Sequence, residues 1–222
     1  SQHGIHSFLD QKYMMGEEAY YALEEFDTLP EILHDEGYVC GLSGKWHLGD
    51  NLNPQDGFSY WATMPRGSTG NFYTDPVILD GKLLEESPKY MTDLWTERGI
   101  DFLEKNHEGD KPMFLFLAYN APHTPIQPPR DWLERVKARE PGITDKRAAL
   151  VALIEHLDHG VGKVVEALEK EGLSKETVVV FTSDNGGQSN VAARNHPWNG
   201  GKQEMWEGGI RVGTSVTWPG VL

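Results

Sequence analysis

Apolar positions along the chain fall into short continuous runs and one long stripe with helical spacing. The runs YVCGLSG (38–44), MFLFLA (113–118) and TVVVFT (177–182) have the length and composition of buried strands. Residues 145–171 instead place leucines and valines every three or four positions, which predicts an amphipathic helix that ends at Gly172. The pattern therefore alternates strands with helix.

Two further segments have a weaker helical pattern. Residues 27–37, with a threonine cap, an early proline and a terminal glycine, predict a short helix. Residues 92–106 carry large apolar side chains at roughly helical spacing. Residues 51–90 are rich in glycine, proline and aromatics, so we expect irregular structure there, with a small hairpin around DPVILDGKLL.

The order of these elements predicts the fold class. Strands that alternate with helices and are apolar throughout favour an α/β fold, with a mostly parallel sheet and helices on both faces. Neither terminus resembles the natural end of such a domain. We therefore expect residues 1–222 to be the middle part of a single catalytic domain, incomplete at both ends.

Charge and cysteine content narrow the partners. The 222 residues include 20 Lys and Arg against 34 Asp and Glu, a net charge of −14, which disfavours nucleic acid and anionic membranes. No apolar run approaches the roughly 20 residues that span a bilayer. The single cysteine excludes an internal disulfide. An anionic ligand would therefore need a local cationic pocket.

Polar side chains suited to chemistry follow each predicted strand. Lys45 and His47 follow the first, His123 the second, and Asp184 and Asn185 the third. Parallel strands would bring these three loops to one sheet edge, where ligands of open α/β sheets bind. Each loop alone also fits an ordinary role as a solvated or proline-stiffened turn.

The residue types point to an oxyanion and a metal. Lys45, His47 and His123 could neutralise a tetrahedral oxyanion and supply a proton to a leaving group. Asp184 and Asn185 offer hard oxygens of the kind that Ca²⁺ or Mg²⁺ prefers, but Ca²⁺ takes six or more, so further ligands must come from elsewhere.

A fourth cation lies in the segment NGGKQEMWEGGIRV. Lys202 follows Gly200 and Gly201, which would let the backbone approach a ligand closely. By itself Lys202 would also fit an ordinary surface lysine.

Together these motifs resemble the type I sulfatases of the alkaline-phosphatase superfamily. The segment GYVCGLSGKWHLG is similar to a sulfatase signature, and GKWHLG within it is highly specific. The segments APHTP, FTSDNGG and GGKQEMWEGGIRV are similar to the family's histidine loop, metal-binding pair and later lysine segment. The resemblance runs in order over nearly the whole chain.

The resemblance implies a role for each cation. Lys45 would contact both the nucleophile and the sulfate, and His47 would hydrogen-bond the nucleophile's hydrate and help the sulfated intermediate collapse. His123 and Lys202 would bind sulfate oxygens and serve the leaving group, and which of them donates the proton stays open.

The resemblance also implies a metal and a nucleophile. Asp184 and Asn185 would ligate a divalent cation, usually Ca²⁺ in this family, with Mg²⁺ as the alternative. The nucleophile would be a formylglycine made from a C/S-x-P-x-R motif, and two aspartates of a first strand would complete the metal site. None of these is in the sequence, and Cys40 lacks the neighbouring Pro and Arg, so a small buried thiol is the better interpretation of Cys40. Because SQHGIH resembles the stretch after the nucleophile motif, we expect the missing parts upstream of residue 1.

One segment departs from the family pattern. Where sulfatases commonly have N-x-P-L-R-G, this chain has NHPWNGG, so Trp198 and Asn199 replace Leu and Arg. This edge of the pocket would then contact a different leaving group. Trp198 could stack on a sugar ring, or it could serve ordinary packing.

The sequence thus predicts a sulfuric ester hydrolase that acts on a small-molecule or carbohydrate sulfate ester. The alternatives are a phosphonate or phosphate ester hydrolase of the same superfamily and a non-catalytic protein that binds sulfated glycans. The resemblance suggests a periplasmic, secreted or lysosomal location, and the oligomeric state stays open. Residues 1–222 alone are expected to show no turnover, because the nucleophile would be absent.

Overall fold

A computed structural model describes residues 9–222 and separates them into two compact units. The first unit reaches Pro125, and the second is Ile126–Leu222. The segment SQHGIH lies outside the described residues. The expectation of a single catalytic domain stays a prediction.

Among residues 9–222, seven helices and strands belong to the first unit and five to the second. In chain order the first unit has α1 (Leu29–Asp35), β1 (Val39–Gly44), β2 (Phe58–Thr63), β3 (Val77–Leu79), β4 (Lys82–Leu84), α2 (Met91–Asn106) and β5 (Met113–Ala118). The second has α3 (Arg130–Arg139), α4 (Asp145–Lys170), β6 (Val179–Thr182), α5 (Glu207–Ile210) and β7 (Thr214–Thr217). Short 3₁₀ turns lie at Gln11–Tyr13, Ser174–Glu176 and Ser189–Val191.

The first unit is built on a five-stranded sheet with the order β4-β3-β2-β1-β5. The central strand β1 is parallel to both of its neighbours, β2 and β5. The hairpin β3–β4 continues the sheet antiparallel to β2. The carboxyl ends of β1, β2 and β5 therefore lie at the same edge, which is where an α/β sheet places its ligand.

Side chains of β1 alternate between two helical layers. Cys40 lies in the buried cluster against which Leu33 of α1 packs, and its thiol donates to the Pro30 carbonyl. On the opposite face, the Ser43 hydroxyl donates to a carbonyl of α2, and a Cβ at Gly41 would lie 2.6 Å from an α2 ring. Alternation along a strand sends neighbouring residues to opposite faces. The predicted α/β fold, with a mostly parallel sheet and helices on both faces, is thus confirmed.

Most of the predicted elements of the first unit are present. The helices expected at 27–37 and 92–106 are α1 and α2, and the hairpin is β3–β4. The expectation of irregular structure throughout 51–90 is wrong for 58–63, which form β2. Trp61 and Ala62 of β2 are buried, so tertiary packing decides the conformation of a segment that has no clear period in the sequence.

In the second unit, α3 packs on α4 and β6 pairs with β7. The predicted helix at 145–171 is α4, which packs on α3 around Val136, Ala148 and Ala152. Among the described residues, no helix is long and apolar enough to cross a membrane. The strand expected at 177–182 is present as β6.

The prediction that residues 177–182 form a buried strand of the parallel sheet is wrong. The strand β6 pairs antiparallel with β7 in a separate two-stranded sheet. Val180 and Phe181 are 60% and 50% exposed. A β-branched apolar run encodes an extended conformation, but it does not encode which layer will cover the strand.

Candidate active site

The loop after β1 leaves the sheet directly against the end of β5. Gly44 has φ +123°, a conformation that favours glycine, and a Cβ there would lie 2.0 Å from the Ala118 carbonyl oxygen. The next backbone amide, that of Lys45, donates to the same oxygen at 2.7 Å. This close approach of two strand ends fixes where the Lys45–His47 turn begins.

A buried tryptophan anchors that turn. Trp46 is 5% exposed, and its indole nitrogen donates to the Gly49 carbonyl at 2.9 Å. The side-chain amide of Asn51 donates to the Trp46 carbonyl at 3.1 Å and to the Met64 carbonyl at 2.7 Å. Lys45 and His47, both half-buried, therefore flank a residue whose position is set by the core.

The imidazole of His47 is held in a defined state. Its Nε2 lies 3.1 Å from the Leu9 carbonyl oxygen, which can only accept, so Nε2 carries the proton. Burial lowers the pKa of His47, the bond to Leu9 opposes that shift, and the charge of Lys45 lowers the pKa further. His47 is therefore neutral at neutral pH.

His123 lies in the loop that follows β5. Gly44 and Ala118 are partners in the β1–β5 register, so the His47 and His123 loops begin side by side at one sheet edge. The His123 amide donates to the Asn120 carbonyl at 2.8 Å, and its Nδ1 lies 2.7 Å from the Thr124 carbonyl oxygen. That carbonyl can only accept, so Nδ1 carries a proton and Nε2 is the ring nitrogen that faces away from this bond.

Sequence reasoning missed a third loop at this edge, residues 64–70 after β2. A Cβ built at Gly67 would lie 2.2 Å from His47 ring atoms, so the backbone of this loop packs directly on the imidazole. The Gly67 amide donates to the Gln11 side chain at 3.2 Å. Two glycines in PRGSTG after an aromatic strand are the signal that could have located the loop, had β2 been predicted.

In the second unit, Asn195 ties two predicted motifs together. Its side-chain oxygen accepts from the Gly187 amide at 2.9 Å, and its nitrogen donates to the Gly187 and Gly200 carbonyls at 2.8 and 3.0 Å. The Lys202 amide also donates to the Gly187 carbonyl, at 3.2 Å. The loop that carries Asp184 and Asn185 is thereby joined to the loop that carries Lys202.

Glycines make this junction compact. A Cβ at Gly186 would lie 1.9 Å from the Gly208 carbonyl oxygen, and one at Gly201 would lie 2.7 Å from the Gly187 carbonyl oxygen. The Gly186 amide donates to the Gly209 carbonyl at 2.9 Å. Backbones this close leave no room for side chains, which explains the many glycines that the sequence places here.

The predicted metal ligands fit a hard cation but are few. Asp184 is exposed and Asn185 is half-buried, so a carboxylate and an amide oxygen lie next to each other. Residues 9–222 contain no group of three His, Cys, Asp or Glu side chains that could hold a metal ion. The two residues can therefore supply only part of a Ca²⁺ or Mg²⁺ coordination shell.

The structure thus brings the six predicted residues together in two groups. Lys45, His47 and His123 form the strand-end group of the first unit. Asp184, Asn185 and Lys202 form the loop group of the second unit. The expectation that all three loops follow strands of one parallel sheet is wrong, because the strand before Asp184 belongs to the two-stranded sheet.

Known proteins share both the sequence pattern and the fold. The family model described as Sulfatase matches residues 7–222. The N-acetylgalactosamine-6-sulfatase of Mus musculus is 33% identical over 215 residues, which are 86% of this chain and 40% of that protein. Arylsulfatase J of Mus musculus is 32% identical over 202 residues, 83% of this chain and 33% of that protein.

A solved structure agrees with these relatives. The structure of Ps i-CgsB in complex with k-i-k-neocarrahexaose has a TM-score of 0.81 at 31% identity, covering 90% of this chain and 49% of that one. The chain spans well under half the length of the curated relatives it matches. The signature at the end of β1, the parallel strand ends and the match over 7–222 lead to one conclusion: the chain belongs to the sulfatase family.

Proposed function

We propose that the full-length protein hydrolyses sulfate monoesters. The observation that supports this most directly is the strand-end group. Adjacent parallel strands in the register Gly44–Ala118 present a lysine and two histidines at one edge of the sheet. Cationic and hydrogen-bonding groups at fixed positions are suited to the three equivalent oxygens of a sulfate group.

Each side chain of the strand-end group has a distinct task in this proposal. Lys45 binds a sulfate oxygen by charge. His47 is neutral and carries its proton on Nε2. It would therefore orient the reacting groups by hydrogen bonding, without adding a positive charge that binds the anion. His123 has Nδ1–H fixed on the Thr124 carbonyl, so in its imidazolium form Nε2–H is the group that would deliver a proton to the leaving oxygen, which returns the ring to the neutral Nδ1–H form.

Lys202 is the fourth cation of the proposal. Its backbone is fixed by the Gly187 carbonyl, and the side chain is half-buried. The Lys202 ammonium would be the second one to bind the sulfate, and it would stabilise the negative charge that develops on the leaving oxygen. His123 and Lys202 are thus two candidates for the leaving-group acid, which kinetics with each variant can distinguish.

The nucleophile is proposed to be a formylglycine outside these 222 residues. The sequence contains no C/S-x-P-x-R motif, and the sulfatase relatives are more than twice as long as the segment they share with this chain. When present, a formylglycine hydrate supplies a hydroxyl that attacks sulfur. Cys40 is not a candidate, since it is fully buried and burial raises its pKa.

A divalent cation, Ca²⁺ with Mg²⁺ as the alternative, is proposed at Asp184 and Asn185. Their adjacent carboxylate and amide oxygens suit a hard cation, and ligands from outside the chain would complete the shell. Such a cation would supply positive charge that stabilises an anion. Asp184 and Asn185 would hold it, and Asn195 joins their loop to the Lys202 loop.

The proposed substrate is a sulfated carbohydrate. One relative is named for a 6-sulfate of N-acetylgalactosamine, and one similar structure contains an oligosaccharide. Trp198 is 41% exposed, with the guanidinium of Arg211 4.2 Å from its ring centroid. The indole could stack on the apolar face of a sugar ring, and the neighbouring guanidinium could bind the sulfate group of the same sugar.

Paired substrates test the proposal. The full-length protein is assayed with an aryl sulfate and the matching aryl phosphate, each with and without Ca²⁺. We expect faster turnover of the sulfate. Faster turnover of the phosphate would favour the phosphate or phosphonate hydrolase of the same superfamily. Tight binding of sulfated oligosaccharide without turnover of either ester would favour the glycan-binding alternative.

A further inference from the structure

The loop at 64–70 packs with its backbone at Gly67 against the imidazole that the proposed function places in catalysis. Because β2 is parallel to β1, this loop leaves the sheet at the same edge as the Lys45–His47 turn. Gly67 is buried, and its absent Cβ would lie 2.2 Å from Cδ2 and Nε2 and 2.3 Å from Cε1 of the His47 ring. An interatomic distance under 3 Å is a steric overlap that one partner has to relieve by moving.

The loop is anchored on both sides of Gly67, so it cannot easily be the partner that moves. Before it, the Met64 carbonyl accepts from the buried Asn51 amide at 2.7 Å. At Gly67 itself the amide donates to Gln11. After it, the Thr69 hydroxyl donates to the Asp75 carboxylate at 2.8 Å. The imidazole would therefore have to yield.

The imidazole also has a hydrogen bond of its own. His47 Nε2 donates to the Leu9 carbonyl, and the same nitrogen lies beside Gly67. A ring displaced by a side chain at position 67 cannot keep this bond at hydrogen-bonding distance. Both contacts therefore bear on the position of the ring.

We propose that Gly67 is the positioning residue of His47: its lack of a side chain makes the room that the imidazole occupies, and the anchored loop holds the ring against the Leu9 carbonyl. The expected effect of Gly67 on the catalytic rate rests on the proposed function. Its expected effect on the position of the His47 ring does not. Gly67 acts through His47 and touches no substrate.

The test compares Gly67→Ala with Gly70→Ala in the full-length protein. Gly70 is a matched control, because it lies in the same loop and a Cβ there would meet only the Asp75 carboxylate, at 3.7 Å. Neither glycine has a positive φ, so alanine fits both backbones. The measurements are kcat and KM for an aryl sulfate, the thermal midpoint, and NMR signals of ¹³Cε1-labelled histidines, with His47 assigned from His47→Gln.

We expect Gly67→Ala to lower kcat by about 100-fold, since a displacement of ~1 Å at a catalytic group has an effect of this order. KM should change less than about threefold, and the His47 signal should shift while the other histidine signals stay. Gly70→Ala should match the wild type in all four measurements. An unchanged kcat and an unshifted His47 signal in Gly67→Ala would overturn the proposal.

A second variant covers the case in which Gly67→Ala does not fold. Gln11→Ala removes one anchor of the loop and should shift the His47 signal alone, and combined with Gly67→Ala it should restore part of kcat. An unshifted His47 signal in Gln11→Ala would then contradict the proposal. If the wild type hydrolyses no sulfate ester, the proposed function fails, and the histidine signals still decide whether Gly67 positions His47.

Discussion

The strand-end group and the loop group are positioned by different means. The strand-end group consists of Lys45, His47 and His123, which follow neighbouring parallel strands. The register of these strands sets where each loop begins along the sheet edge. The loop group lies outside the parallel sheet, and its two loops are joined by the side chain of Asn195, by the backbone hydrogen bond from Lys202 to Gly187 and by close contacts between glycines. Strand pairing therefore positions the first group, whereas an amide side chain and a few backbone contacts between loops position the second.

This difference predicts where each group is sensitive to substitution. The strand-end group should lose function when a chemical side chain is removed or when a side chain is added at a close backbone contact. The loop group should also lose function through Asn195, a residue that performs no chemistry. The following substitutions, made in the full-length protein, test this contrast.

The largest effect is expected at the strand end, for Lys45→Ala. Removing one group that stabilises charge in the transition state lowers kcat by a factor of 100 to 1,000, and we expect about 1,000-fold here. The measurement is steady-state hydrolysis of an aryl sulfate, with the exposed Lys82→Ala of β4 as the control. Equal rates in the two variants would remove Lys45 from the site.

His123→Ala should have the next largest effect, and that effect should depend on the leaving group. Loss of a general acid lowers the rate by about 100-fold or more for esters with poor leaving groups. An activated aryl sulfate needs the proton less, so its loss should be smaller. The measurement is kcat over a series of aryl sulfates of increasing phenol pKa. A uniform loss would make His123 a binding residue and favour Lys202 as the acid.

In the loop group, Asn195→Asp should weaken metal binding by roughly tenfold to a hundredfold, the usual effect of changing a residue that supports metal ligands. The carboxylate would face the Gly187 and Gly200 carbonyls, which now accept from the amide. Calcium titration by calorimetry measures this. Asn190→Asp adds the same charge at an exposed position nearby and is the control. Equal affinities would show that Asn195 does not support the metal loop.

The smallest effect is expected in a titration. The charge of Lys45 lowers the pKa of His47 in addition to the larger effect of burial. Lys45→Met removes that charge but leaves the burial, so the His47 pKa should rise while staying below its ordinary value. Histidine NMR over pH 4–8 is the measurement. A fall in the His47 pKa would mean that the two side chains do not interact as the structure places them.

The same contrast explains what the sequence could predict. The runs YVCGLSG and MFLFLA are continuous and apolar, so β1, β5 and the catalytic candidates that follow them could be located directly. The aromatic strand β2 has no clear period, and its identity depends on the packing of Trp46 and Trp61. The contact between Gly67 and His47 was therefore beyond the reach of sequence patterns.

The loop group shows the opposite limit. SDNGG and Lys202 could be recognised as motifs, but the role of Asn195 depends on hydrogen bonds between loops that have no periodicity. The strand before Asp184 was predicted as β-structure, yet its sheet was not, because apolar character does not specify a pairing partner. The motifs thus gave the candidate residues, and only the structure revealed what holds their loops in place.

The proposed function requires Lys45 and Lys202 to act on the same sulfate, and a double-mutant cycle tests that requirement. Lys45→Ala, Lys202→Ala and the double variant are compared in the full-length protein by kcat/KM for one aryl sulfate. Residues that act on the same group in a transition state are strongly non-additive. If both lysines contact one sulfate, the double variant should lose at least tenfold less than the product of the two single losses. A double variant whose loss equals that product would contradict it, because the two lysines would then act independently.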